Sequence, residues 1–286
     1  MSDTVSAPRL SPPRLSPPPL AAAARRVFDL SFGEMLWSRR TIFMALVVAG
    51  PVVLALVFRV VESLGMPALR VNGARVAGSS IFGVMIWMLY IRFIVPVLGV
   101  FYGTALMADE VEDKTLTYLF TRPIPRAAVL LGKYLAYLAC TTLVVLPSVM
   151  LSYFLVVPFA DVGSTFRSLV LDLAILALGL AVYGAVFAFV GTWLKRPLVV
   201  GLVFAFGWEQ VAMALPGYLR QFTVAHYLQA LVPHALPSDN ALSVLQGLFR
   251  QAPPAGTAIA WLAAILAVFL WLAMRLVARR EYVLEQ

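Results

Sequence analysis

The sequence predicts an all-α membrane protein with six transmembrane helices, and three observations carry that prediction. Of 286 residues, 62% are hydrophobic and only 13% are charged, against about 25% charged in an ordinary soluble domain. Six apolar runs have the length a helix needs to cross a bilayer, about 20 residues: 41–61, 80–107, 132–157, 169–194, 198–219 and 257–277. The 22 Lys and Arg residues also alternate in density. All but seven fall before run one, between runs two and three or at the very start of run three, between runs four and five, or in the last residues of run six and beyond. The exceptions are Arg59, Arg70, Arg75, Arg167, Arg220 and Arg250 on the other side, and Arg92 inside run two. An excess of Lys and Arg marks cytoplasmic connections, so both termini are expected in the cytoplasm.

Residues 1–20 contain APRLSPPRLSPPPL. This composition cannot bury a core and predicts a disordered cytoplasmic tail. A secretory signal is not expected, because the first long apolar run follows Arg39-Arg40 and is of full span length. Residues 21–40 predict an amphipathic helix lying in the membrane interface. Phe28, Phe32, Met35 and Leu36 share a stripe, Arg25, Arg26, Asp29 and Arg40 lie off it, and Trp37 suits the headgroup level. Residues 41–280 then form the six-span domain, and 281–286 a short cytoplasmic tail. Pro51, Pro96 and Pro147 fall inside spans one to three and predict kinks that neighbouring helices accommodate. Run two is long and needs tilt, or one end outside the lipid.

In run four, Ala177, Ala181 and Ala185 recur at helical spacing beside Gly184 and Ala188. Small residues four apart allow helices to approach closely, either within the chain or between two copies. Cys140, the one cysteine, lies in an apolar run and reads as a small buried hydrophobe. The connection at about 220–256 is expected outside the membrane, carrying short helices at the outer interface. One falls at about 222–231. A second, capped by Ser238 or Asp239, displays Leu242, Leu245 and Phe249.

The polar interruption DEVEDKTLTYLFTRPIPR, residues 109–126, separates runs two and three. Asp113 is suited to cap a helix, and the acids at Asp109, Glu110 and Glu112 complement the positive end of its dipole. Pro123 disfavours helical geometry at Arg122, so this helix is bounded at about 113–122. Leu116, Leu119 and Phe120 share one face. Two turns are too few to be stable alone, so the helix must dock on something. Order, spacing and position resemble the first cytoplasmic loop of ABC-type 2 transporter permeases: an acidic pair, Thr115-Leu116 with Leu119, then Arg122-Pro123-Ile124 with Arg126, and Leu131-Gly132-Lys133 further on. In that family the loop holds a coupling helix seated in a groove of an ATP-hydrolysing subunit, and an elbow helix precedes span one. The resemblance implies that Asp113, Lys114, Thr115, Leu116, Tyr118, Leu119, Arg122 and Arg126 meet ABC ATPase subunits.

Two charges stand within the apolar runs, Arg92 in run two and Glu209 in run five, both at mid-membrane depth by residue count. A central charge costs at least ~2.5–3.5 kcal/mol on insertion scales. The two either pair with each other or face substrate, lipid headgroups or a cavity. Gly132-Lys133 lacks the earlier glycine and the following Ser or Thr of a phosphate-binding loop. ATP and Mg are therefore expected on the partner ATPase, with no cofactor, catalytic residue or metal ligand on this chain. His226 and His234 read as surface histidines rather than a metal pair.

The resemblance implies a permease subunit of an ATP-driven exporter in a bacterial-type inner membrane. It would work as a dimer with a second copy or a similar permease, among membrane lipids and without nucleic acid. One alternative is the same architecture used as a coupling machine acting on an extracytoplasmic protein partner, as in gliding motility or copper-site maturation. Another is a membrane enzyme or scaffold with no ATPase.

Overall fold

The computed structural model describes residues 19–65, 70–71, 74–75, 78–107, 125–214, 218–233 and 253–279. The predicted Pro-rich tail, the helix at about 113–122, the second short helix after Ser238 and the C-terminal tail lie outside these residues. The described elements are α1 (Leu20–Leu36), α2 (Arg39–Ser63), α3 (Gly78–Met107), α4 (Arg126–Val156), α5 (Val162–Trp193), α6 (Pro197–Met213), α7 (Val224–Leu231) and α8 (Ala255–Arg279). Between α2 and α3, a two-residue antiparallel ladder pairs Arg70 with Arg75 and Val71 with Ala74. The molecule is otherwise helical where it has regular structure among the described residues.

Five of the helices, α2, α3, α4, α5 and α8, are long and apolar enough to cross a membrane. The sequence predicts a sixth span at 198–219; of it the structure describes an apolar helix over Pro197–Met213, and residues 215–217 lie outside the described residues. The 17 residues described rise about 26 Å, against the ~30 Å of a hydrocarbon core. The chain resumes as a 3₁₀ turn, Tyr218–Phe222, and then α7.

Burial sorts the spans into layers. In the most apolar window of each helix, 67% of α3 and 61% of α5 is buried, against 22% of α2 and 17% of α8. With α4 this inner pair supplies most of the core, and α2 and α8 turn Leu46, Val53, Leu56, Ile259 and Trp271 outward. For a chain of this composition that exterior is lipid.

α4 and α5 approach closely because small residues on α5 leave room. A Cβ on Gly184 would lie 2.2 Å from Tyr137 Cε1. The tyrosines of α4 then reach backbone oxygens on α5: Tyr134 donates to Ala181 O at 2.8 Å and Tyr137 to Leu180 O at 2.9 Å. Ala181, Ala185 and Ala188 are buried in the same packing, so within this chain the small-residue stripe serves contact between neighbouring spans.

α1 lies along the start of α4. Gly132 permits this, since a Cβ there would stand 2.6 Å from Ala24 O, and Ala23, Ala24 and Ala128 are buried at the contact. Phe28 and Phe32 stack at 5.6 Å on the predicted stripe, whereas Arg25, Arg26 and Asp29 are exposed. The turn into α2 is closed by hydroxyls. Ser38 Oγ donates to Met35 O at 3.0 Å, and Thr41 Oγ1 donates to the same oxygen, satisfying an end carbonyl of α1.

Candidate functional site

Two candidate sites stand out among the described residues: the end of the bundle that carries α1, and a polar recess inside it. At the first, Met107 at the end of α3 packs with Leu130 near the start of α4 and with Ala273 and Val277 near the end of α8. Both ends of the polar loop, α1 and the last turns of α8 therefore share one end of the molecule. Of the residues the sequence assigns to an ATPase contact, Arg126 is described, half-buried as the first residue of α4. Asp113, Lys114, Thr115, Leu116, Tyr118, Leu119 and Arg122 fall outside the described residues.

The recess is built on α3, α5, α6 and α7. Arg92 belongs to a π-helical stretch of α3, Ile86–Ile94, and Glu209 directly follows another in α6, Val203–Trp208. π-Helical turns are rare and concentrate at functional sites. Arg92 Nη2 donates to Gln210 Oε1 at 2.6 Å, and the guanidinium lies over the Trp87 ring at 5.2 Å. Glu209, 2% exposed, accepts at one oxygen from Tyr183 Oη at 2.5 Å and from Ala225 N at 2.9 Å. Pro96 and Met213 complete the lining. The structure thus brings both predicted charges to one recess but gives them different partners. Among the described residues no hydrogen bond or ion pair joins Arg92 to Glu209, and Arg92 Nε is buried without an acceptor. Helices α3 and α6 are joined at this level by arginine and glutamine.

α7 departs from expectation. A short helix at about 222–231 was expected at the outer interface, whereas α7 buries Val224, Ala225, Tyr227 and Leu228 against the spans. Leu228 fills the space above Gly179 of α5, and Tyr227 stacks on Trp261 of α8 at 6.2 Å. Tyr183 lies ten residues before the end of α5 at Trp193, about 15 Å along the axis. A helix whose first turn meets Glu209 at that level enters the bundle. Its apolar face explains the burial, and Glu209 and Thr223 supply acceptors for its first N–H groups.

Sequence reasoning passed over several polar residues. Gln210 and Tyr183 were legible as polar groups inside apolar runs, the tyrosine because a buried phenol needs a partner. Tyr90 shares its hydroxyl with Ser148 Oγ at 3.2 Å and Ser152 Oγ at 3.0 Å, a polar contact between α3 and α4. Asp172 is fully buried in α5, and an acid there was as visible in the sequence as Glu209. Cys140 is a buried free thiol. His226 is half-buried on α7, and His234 lies outside the described residues. Among the described residues, no three of His, Cys, Asp and Glu are grouped as metal ligands would be.

A bundle of apolar helices with lipid-facing outer members and polar contacts between inner ones defines a multi-pass α-helical membrane protein. The chain belongs to the ABC-2 transporter family: the sequence model described as ABC-2 family transporter protein matches residues 27–282. It is accordingly a membrane subunit of ABC-transporter type, a class that works in partnership with ABC ATPase subunits. A comparison with curated proteins returned no match.

Proposed function

We propose that this chain is the permease subunit of an ATP-driven exporter, in which ATP hydrolysis on separate subunits is coupled to substrate movement across a bacterial-type inner membrane. The observation that carries the proposal is the family match over 27–282, which includes the polar loop and every described span. Two such subunits, identical or similar, would face each other above two ATPases. α6, with the segment that follows it, would complete six spans.

In this reading a coupling helix at about 113–122 seats Leu116, Tyr118 and Leu119 in the ATPase groove, with Asp113 as its cap. Lys114, Thr115, Arg122 and Arg126 surround the contact. ATP and Mg bind the partner and drive the permease only by binding more tightly to the assembly in one of its two arrangements. The shared location of the loop ends, α1 and the end of α8 supports a single docking face at that end of the bundle.

Replacing Leu116 and Leu119 together by Asp is expected to release the ATPase subunits on purification while leaving the permease folded. Unchanged ATPase stoichiometry would remove the docking site. For topology, a cysteine placed at Ser238 in a Cys140→Ala background is expected to react with an impermeant thiol reagent in intact cells, and one at Lys114 is not. The reverse labelling would invert the orientation and remove the loop from the ATPase side.

A further inference from the structure

The start of α7 is buried, with Thr223, Val224 and Ala225 at 1%, 6% and 3% exposure, so its first backbone N–H groups need partners from the protein. Thr223 Oγ1 accepts from His226 N at 3.4 Å, and Glu209 Oε1 accepts from Ala225 N at 2.9 Å. A helix N-terminus carries about half a positive charge, so a carboxylate suits it better than any neutral acceptor. The same oxygen accepts from Tyr183 at 2.5 Å. One atom of Glu209 therefore joins α5, α6 and α7, and Thr223 Oγ1, donating to Met213 Sδ at 3.4 Å, adds a second link between α6 and the start of α7.

The backbone around this junction is unusual. Glu209 follows immediately on the π-helical Val203–Trp208, and α7 packs on the π-helical part of α3. A π-helical turn carries one residue more than an α-turn. If it reverts, side chains beyond it rotate by one residue's share of a turn, about 100°. Such a rotation at Val203–Trp208 would swing Glu209 off both Tyr183 and Ala225 without unfolding α6.

We propose that Glu209 is a releasable latch on α7. It holds α7 between α3, α5 and α8 in the arrangement seen here, and reversion of the π-helical stretch before it withdraws the carboxylate and frees α7 to leave that space. That release is driven by ATP rests on the function proposed above; that the carboxylate holds α7 does not.

The test uses the permease with its ATPase subunits in lipid nanodiscs, carrying Cys140→Ala and Ala225→Cys. Ala225 is 3% exposed, so its thiol reacts with a small neutral maleimide only when α7 lifts. Labelling at rest is expected to be slow, to rise about tenfold with Glu209→Leu, which supplies no acceptor, and to stay within about twofold with Glu209→Gln, which does. Tyr183→Phe, the loss of one buried hydroxyl, is expected to give an intermediate rise and serves where Glu209→Leu does not fold. Labelling unchanged by Glu209→Leu, or by Tyr183→Phe in its place, overturns the latch. With Glu209 intact, ATP turnover is expected to raise labelling. If the variants raise it but turnover does not, Glu209 is a static brace and the release is overturned, while ATP hydrolysis by the purified assembly still upholds the transporter reading.

Discussion

The contact between α4 and α5 and the contact between α3 and α6 solve the same problem in opposite ways. α4 and α5 are regular α-helices brought close by glycine and alanine, and their tyrosine hydroxyls bond to backbone oxygens of the facing helix. Nothing charged is needed at these two tyrosines, and each hydroxyl finds a partner fixed by the backbone. α3 and α6 both contain π-helical stretches and meet through Arg92 and Gln210. Their partners are side-chain atoms that rotate, and Arg92 Nε is left without one. The first contact tolerates little change in spacing. The second can be rearranged by rotating a few residues, which is what a transporter needs at one interface and must avoid at another.

The largest effect expected from this contrast is at Glu209. Glu209→Leu leaves the Tyr183 hydroxyl and the Ala225 N–H buried without an acceptor, about 1–3 kcal/mol for each, and should lower the detergent melting temperature markedly. An unchanged melting temperature would mean that water reaches the recess. Next comes Gly184→Val. With Tyr137 2.2 Å from the first added carbon, overpacking should cost about 1–3 kcal/mol or more and reduce folded yield. A well-folded Gly184→Val protein would show that α4 and α5 can part.

A double-mutant cycle sharpens the comparison further. Arg92→Leu with Gln210→Leu is expected to show coupling of about 1–2 kcal/mol, for a hydrogen bond to a charged group. The coupling of Arg92→Leu with Glu209→Leu should be smaller, because the two side chains bond to different partners. Equal or reversed couplings would restore the direct ion pair. Tyr137→Phe should cost about 1 kcal/mol, the net value of one hydrogen bond, read as a small shift in unfolding. The smallest effect is at Gly207, where an added Cβ meets only Val203 Cγ1 at 3.7 Å. Gly207→Ala should be neutral, or stabilising by less than ~1 kcal/mol. A loss as large as that at Gly184 would erase the distinction between the two contacts.

Much of this architecture was legible from hydropathy, because lipid accepts only apolar surface. The runs at 41–61, 80–107, 169–194 and 257–277 fall within or against α2, α3, α5 and α8. The helices outrun the apolar stretches where polar residues continue them. α4 starts at Arg126 rather than 132, and α5 starts at Val162 and takes in Arg167. The entry of α7 into the bundle was not legible, since it depends on what α3, α5 and α8 offer as partners. The depth of Arg92 and Glu209 could be counted. Their partners could not, because a π-helical stretch changes which way a side chain faces and is set by tertiary packing.

The docking of α1 on α4 has a consequence for synthesis. Ala24 and Gly132 touch, yet about a hundred residues separate them, roughly 5–20 s of ribosome time. During that interval the first helix of the nascent chain has no protein surface to rest on. Its exposed Arg25 and Arg26 and its stacked Phe28 and Phe32 fit it to wait on the anionic face of the bilayer until the third apolar run has been inserted.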